Sequence, residues 1–219
     1  MLQHFNKTFL LRWHKTTLPP KDVTAGVTHV ITAFAPSTTF NSGSAYTPFM
    51  PLDQVRALFD PNTKVCMAIG GWGDTAGFSQ GAVSDQTRKT YAKNVASALD
   101  TLGYDCIDVD WEYPGGNGED YKSNPNSGKV AEIETYAMLL KEIKTAIGDK
   151  ELSIAVPGKV GDMIAFTAEQ VPKINDAVDF VNVSISTKHR HRNGMLIVLG
   201  HVLRLDEPTR QRHQPSHWH

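Results

Sequence analysis

A chain of 219 residues with 40% hydrophobic content is long enough to bury one substantial core. Its 22 basic and 23 acidic residues leave a formal charge of −1, which removes any overall electrostatic case for nucleic acid or an anionic membrane as partner and favours a neutral substrate. No stretch approaches transmembrane length, and residues 1–11 lack the apolar region of roughly 7–15 residues that a secretory signal requires.

In chain order, the first short apolar run is Thr8–Trp13, and the second is Thr28–Ala35. His29 inside the second run reads as a hydrogen-bonded core residue, with no role assigned. After Pro51, residues 53–59 predict a short helix. Lys64–Gly70 is the third strand. Ser84-Asp85-Gln86 then caps a helix running from Gln86 to Leu102, with Tyr91, Val95, Ala98 and Leu99 as its buried stripe and Gly103 as its stop. Cys106–Trp111 is the fourth strand, followed by the loop Gly115-Gly116-Asn117-Gly118, which lacks the Lys-Ser/Thr of a phosphate loop. A second long helix is predicted from Val130 to Ile147 through Ile133, Tyr136, Leu139, Leu140 and Ile143, closing on Gly148. Leu152–Val156 and Phe180–Val183 complete six strands.

Helices alternating with nearly all-apolar strands give an α/β protein, either an open parallel sheet or a parallel barrel, and the rhythm alone does not separate the two. The two cysteines, Cys66 and Cys106, sit in apolar runs and read as small buried hydrophobes, so no disulfide is expected. From Lys188 onward the composition changes: six Lys or Arg face only Asp206 and Glu207, and six of the nine histidines lie there. Residues 1–187 are therefore read as the catalytic unit and residues 188–219 as a basic, His-rich tail of uncertain structure. No ligand-spaced cluster in that tail supports a metal or a nucleic acid.

The chemistry concentrates in residues 105–114, Asp-Cys-Ile-Asp-Val-Asp-Trp-Glu-Tyr-Pro. Asp108, Asp110 and Glu112 recur at every second residue, so a strand places them on one face. Stacking three acids on an inward face costs free energy that packing alone would not justify. They could ligate a hard cation or divide their pKa values for acid catalysis. Trp111, Tyr113 and Gly70-Gly71-Trp72-Gly73 favour the second, because aromatic faces and exposed amides suit a sugar ring. Neither a metal nor a cofactor is expected. Glu112, outermost at the C-terminal end of the strand, is the candidate proton donor.

These residues resemble glycoside hydrolase family 18, the chitinases and endo-β-N-acetylglucosaminidases, whose fourth barrel strand reads Asp-x-x-Asp-x-Asp-x-Glu. Lys64 to Gly73 is similar to the family's third strand, with Ala68 where a serine is common, and Thr28 to Ala35 to its second. The resemblance covers residues 8 to 183 and is nearest to the fungal members. It implies a TIM-type (β/α)8 barrel and retaining hydrolysis of β-1,4-linked N-acetylglucosamine, with chitin or chitooligosaccharides as partner. It also implies substrate assistance, in which the N-acetyl carbonyl attacks the anomeric carbon. By position, Glu112 is then the acid and base, Asp110 holds the acetamide N–H, and Asp108 shares a proton with Asp110. Asp105 supports the strand from behind, while Tyr113, Gly70, Gly71, Trp72 and Gly73 contact substrate. An inactive or carbohydrate-binding product and an endo-β-N-acetylglucosaminidase are the rival readings. Family members acting on chitin are expected outside the cell, although residues 1–11 carry no signal.

The chain departs from the family after Val183, where Ser184, Ile185, Ser186 and Thr187 stand in place of Met-x-Tyr-Asp. A closed barrel typically takes about 250 residues, so an incomplete one of about six βα units is expected. A frameshift, an unspliced intron or an altered splice site is the expected source of the tail.

Overall fold

The computed structural model describes residues 7–11, 20–184 and 196–198. Six strands run parallel: β1 Lys7–Leu11, β2 His29–Ala35, β3 Lys64–Gly70, β4 Cys106–Asp110, β5 Glu151–Pro157 and β6 Phe180–Ser184. A short β7, Leu196–Val198, pairs antiparallel on the outer side of β1, giving the sheet order β6-β5-β4-β3-β2-β1-β7. The six parallel strands form a half-barrel, and this decides between the two architectures that the apolar rhythm leaves open. Of the tail read from sequence, only β7 lies among the described residues; Ile185, Ser186 and Thr187 lie outside them.

The helices are α1 Lys21–Thr24, α2 Thr39–Ser42, α3 Leu52–Ala57, α4 Ala76–Ala82, α5 Asp85–Leu102, α6 Glu132–Ile147 and α7 Gln170–Ala177. Local chemistry explains the long ones. Ser84 and Thr87 form a capping box at the start of α5, and Gly103, at φ 80°, ends it in the left-handed region. Helices α1, α2, α4 and α7 and strand β7 escape the sequence reading. Pro172 obscures α7, although a proline in the first turn costs a helix little. Gly77 and Gly81 make α4 a poor helix on propensity, yet packing requires both. A β-carbon on Gly77 would lie 2.3 Å from the Ser37 backbone, and one on Gly81 would lie 2.5 Å from the Tyr91 ring.

Strand alternation divides the core in two. Val65, Met67, Ile69, Ile107, Val109, Trp111, Leu152 and Ile154 face outward and pack on Tyr91, Val95 and Leu99 of α5 and Tyr136, Leu139, Leu140 and Ile143 of α6. The inner face holds a smaller apolar cluster of Phe9, Ile31, Ala33, Cys66, Ala68 and Cys106. Cys66 and Cys106 are register partners on β3 and β4, with Cα atoms 4.4 Å apart, and form a disulfide. This corrects the expectation of two independent buried thiols: 40 residues separate them in sequence, and only strand pairing makes them neighbours.

Below that layer, polar groups tie the N-terminal ends of the strands together. His29 Nε2 lies 2.8 Å from Glu151 Oε2, and Lys64 Nζ lies 2.5 Å from Glu151 Oε1. His29 also packs edge-on against Phe180, so it belongs to the core as expected. Lys7 is buried with its ammonium over the Phe180 ring. Burial pulls its pKa down to about 7, against the opposing pull of Asp108 and Glu151.

Candidate active site

β4 carries the acids on the inner face, as its two-residue period requires. Asp108 is fully buried, Asp110 is nearly so at the strand's last position, and Glu112 is half-buried just beyond it. Asp108 Oδ1 accepts from Ser153 Oγ at 2.6 Å and from Asn182 Nδ2 at 2.8 Å. Burial pushes the Asp108 carboxyl above its usual range, while those two donors and Lys7 pull it back. Asp110 is pushed well above its usual range, first by burial and then by the charges of Glu112 and Asp108. Burial also raises Glu112, against hydrogen bonding from Tyr113. Tyr113 is in turn pushed up to about 12, by burial first and then by Glu112. A carboxyl kept protonated toward neutral pH is what a general acid needs.

The turn after β3 is built against these groups. The Gly71 N–H donates to the Asp110 carbonyl at 2.9 Å. A β-carbon on Gly70 would meet that same oxygen at 2.3 Å and the Phe78 ring at 2.6 Å, and one on Gly71 would meet the Phe34 ring at 2.9 Å. Gly70, Gly71 and Gly73 all adopt positive φ, which suits glycine. The outer end of the loop is held by Asp74, whose carboxylate accepts from the Ser37 N–H at 2.6 Å and from its hydroxyl at 2.5 Å. Between these anchors Trp72 is 60% exposed and meets Tyr113 edge-on, with ring centroids 6.3 Å apart. An exposed indole beside a half-buried phenol at the strand end is a surface on which a sugar ring can stack.

Trp111 requires a correction. The sequence pattern offers it as an aromatic face for the sugar, but it is buried on the opposite side of β4, stacked on Phe78 at 5.3 Å and edge-on to Tyr136 at 5.7 Å. Alternation forces this, because residues 110 and 112 point inward and 111 must point outward. Asp105 does hold the strand from outside the site: its carboxylate accepts from the Val65 N–H and from Arg56, both at 2.8 Å.

Three contributions escape the sequence reading. Ser153 and Asn182 are polar residues at inward positions of apolar strands, and that parity was the available signal. Asn117, at φ 62°, donates to the Gly161 carbonyl at 2.8 Å and to Asp162 at 3.0 Å, and its side chain also pairs with Asn126. It thereby ties the loop after β4 to the loop after β5. Nothing in the Gly-Gly-Asn-Gly run signals those partners.

Comparison with known proteins is consistent with this geometry. The family model of glycosyl hydrolases family 18 matches residues 8–213. Chitotriosidase-1 of Mus musculus is 31% identical over 177 residues, covering 75% of this chain and 36% of that protein. The probable chitinase LysM11 of Penicillium expansum is 32% identical over 140 residues, covering 58% of this chain and 12% of that protein. The chain thus spans well under half the length of these relatives. Among solved structures, the chitinase domain of the spore coat protein CotE from Clostridium difficile superposes with a TM-score of 0.65 at 30% identity, covering 83% of this chain and 50% of that one. The Ostrinia furnacalis Group II chitinase catalytic domain 2, crystallised as an E2180L mutant with a chitooligosaccharide, also has a TM-score of 0.65. At 20% identity it speaks to the fold alone. A half-barrel with three same-face acids, matched along nearly its whole length by one family model, makes this chain a member of glycosyl hydrolases family 18.

Proposed function

We propose that the chain carries a chitin-type retaining glycosidase site, hydrolysing β-1,4 N-acetylglucosamine linkages with Glu112 as acid and base. The observation that supports it best is the gradation along β4: a buried, hydrogen-bonded Asp108, a buried Asp110 pushed well above the usual carboxyl range, and a half-buried Glu112 at the open end. In this reading Glu112 protonates the leaving oxygen as the substrate's own acetamide carbonyl attacks the anomeric carbon. Glu112 then deprotonates the water that opens the ring-fused intermediate. Asp110 holds the acetamide N–H, and Trp72 with Tyr113 forms the stacking surface. Chitin or its oligomers are the proposed partner. We place its action outside the cell, since a disulfide across β3 and β4 fits an oxidising compartment.

The test is hydrolysis of a fluorogenic chitotrioside by the full chain beside Glu112→Gln, with circular dichroism showing that both are folded. Activity that falls by about 100-fold or more in the variant is expected for loss of a general acid. A folded chain that binds chitooligosaccharides without cleaving them would overturn the glycosidase reading in favour of a carbohydrate-binding one. Cleavage of N-glycans in preference to chitin oligomers would make it an endo-β-N-acetylglucosaminidase.

A further inference from the structure

Asp108 and Asp110 share a face of one strand, yet their surroundings differ. Asp108 Oδ1 takes both neighbouring donors, Ser153 Oγ at 2.6 Å from β5 and Asn182 Nδ2 at 2.8 Å from β6. Asn182 Nδ2 also reaches Ser153 Oγ at 3.4 Å, so the three side chains form one buried cluster across three strands. Register places Ser153 directly opposite Asp108. Asp108 Oδ2 and Asp110 Oδ1 are both buried, and neither has a hydrogen-bond partner among the described residues. Two buried carboxyls on one face, each with a bare oxygen but only Asp108 with two donors on its other one, do not compete equally for a proton.

Resting on the glycosidase reading, we infer that Ser153 and Asn182 are positioning residues that keep Asp108 as the ionised member of the pair and so place the shared proton on Asp110. Two N–H or O–H donors on one oxygen favour the carboxylate form. The remaining charges act in the same direction. Lys7 from β1 attracts an ionised Asp108, and Tyr136 from α6 is held un-ionised beside both acids. On β4 itself, Asp108 and Glu112 both oppose ionisation of Asp110. A protonated Asp110 still has a carbonyl oxygen with which to accept the substrate's acetamide N–H, and it adds no second negative charge beside Glu112. Ser153 and Asn182 themselves touch no reacting atom; they act through Asp108.

The experiment is ¹³C NMR of the full chain labelled at aspartate Cγ, titrated with pH and assigned with Asp108→Asn and Asp110→Asn. In the native chain Asp108 is expected to ionise first, with Asp110 retaining its proton to higher pH. Ser153→Ala and Asn182→Leu should each raise the pair's first titration by about one pH unit, the effect of losing a hydrogen bond to a charged group. Together they should move the proton toward Asp108. Ser153→Thr, which keeps a hydroxyl, should restore the native titration, and circular dichroism establishes that the variants fold. An Asp110 that ionises first in the native chain, or a pair whose titration none of these variants moves, would overturn the inference. On chitotrioside the acid limb of the kcat/KM profile should move with the NMR shift while KM holds. The NMR titration does not depend on turnover: an inactive chain with the expected titration refutes the glycosidase reading alone, and an active chain with unmoved aspartates refutes this inference alone.

Discussion

At Gly70 an added methyl group would sit 2.3 Å from the Asp110 carbonyl, on a backbone already at φ 104°. Gly70→Ala should therefore destabilise the fold by about 3 kcal/mol or more, measured by denaturant unfolding, and displace the acid strand as well. A destabilisation within about 0.5 kcal/mol, the range of ordinary surface changes, would show that the turn has room to yield. Asp110 contributes in the opposite sense. Its carboxyl is raised from an ordinary 3.8 to well above it by burial and by Glu112 and Asp108. The folded chain thus retains a proton that the unfolded chain releases, and the stability present below about pH 3.8 is lost as pH rises toward the folded value. Asp110→Asn cannot ionise, so it should unfold at a higher temperature than the native chain near neutral pH and flatten that decline, at the cost of activity. Equal melting temperatures at pH 5 and pH 8 in both proteins would refute the assignment.

At the scale of strands, two fastenings hold β2, β3, β4 and β5 beneath the site. Glu151 is lowered from an ordinary 4.5 to about 2, chiefly by hydrogen bonding from His29 and then from Lys64. Its depressed value adds stability that is present above about pH 4.5 and lost as pH falls toward 2. Glu151→Gln should lower stability at pH 7 and remove that part of the acid-induced loss, as thermal melts across pH 2–5 would show. The Cys66–Cys106 bond closes a loop of 40 residues, which on chain-entropy grounds stabilises the fold by about 4 kcal/mol. Cys66→Ala with Cys106→Ala should accordingly melt lower than the oxidised native chain. A double variant as stable as the native chain would mean that the thiols need not be joined. The helices were the elements most open to a sequence reading, because α5 and α6 carry their stripe, cap and glycine stop in consecutive residues. The short α4 and the proline-bearing α7 were not, since tertiary contacts at Gly77, Gly81 and Ile174 hold them in place.

At the scale of the whole molecule, β6 pairs only with β5 among the described residues, and β7 only with β1. Strand edges without a partner are templates for pairing with other chains. Concentration-dependent self-association is expected in size-exclusion chromatography coupled to light scattering; a monomer throughout the micromolar range would show that those edges are covered. Residue types at fixed spacing sufficed for the α/β class, the six strands, the family resemblance and the three acids, because a two-residue period puts Asp108, Asp110 and Glu112 on one face whatever surrounds them. The disulfide and the hold of Ser153 and Asn182 on Asp108 came only from the tertiary structure. Each of these depends on which residue of one strand lies opposite which residue of another, and that register is set by the packing of the whole sheet against its helices, not by any local run of sequence.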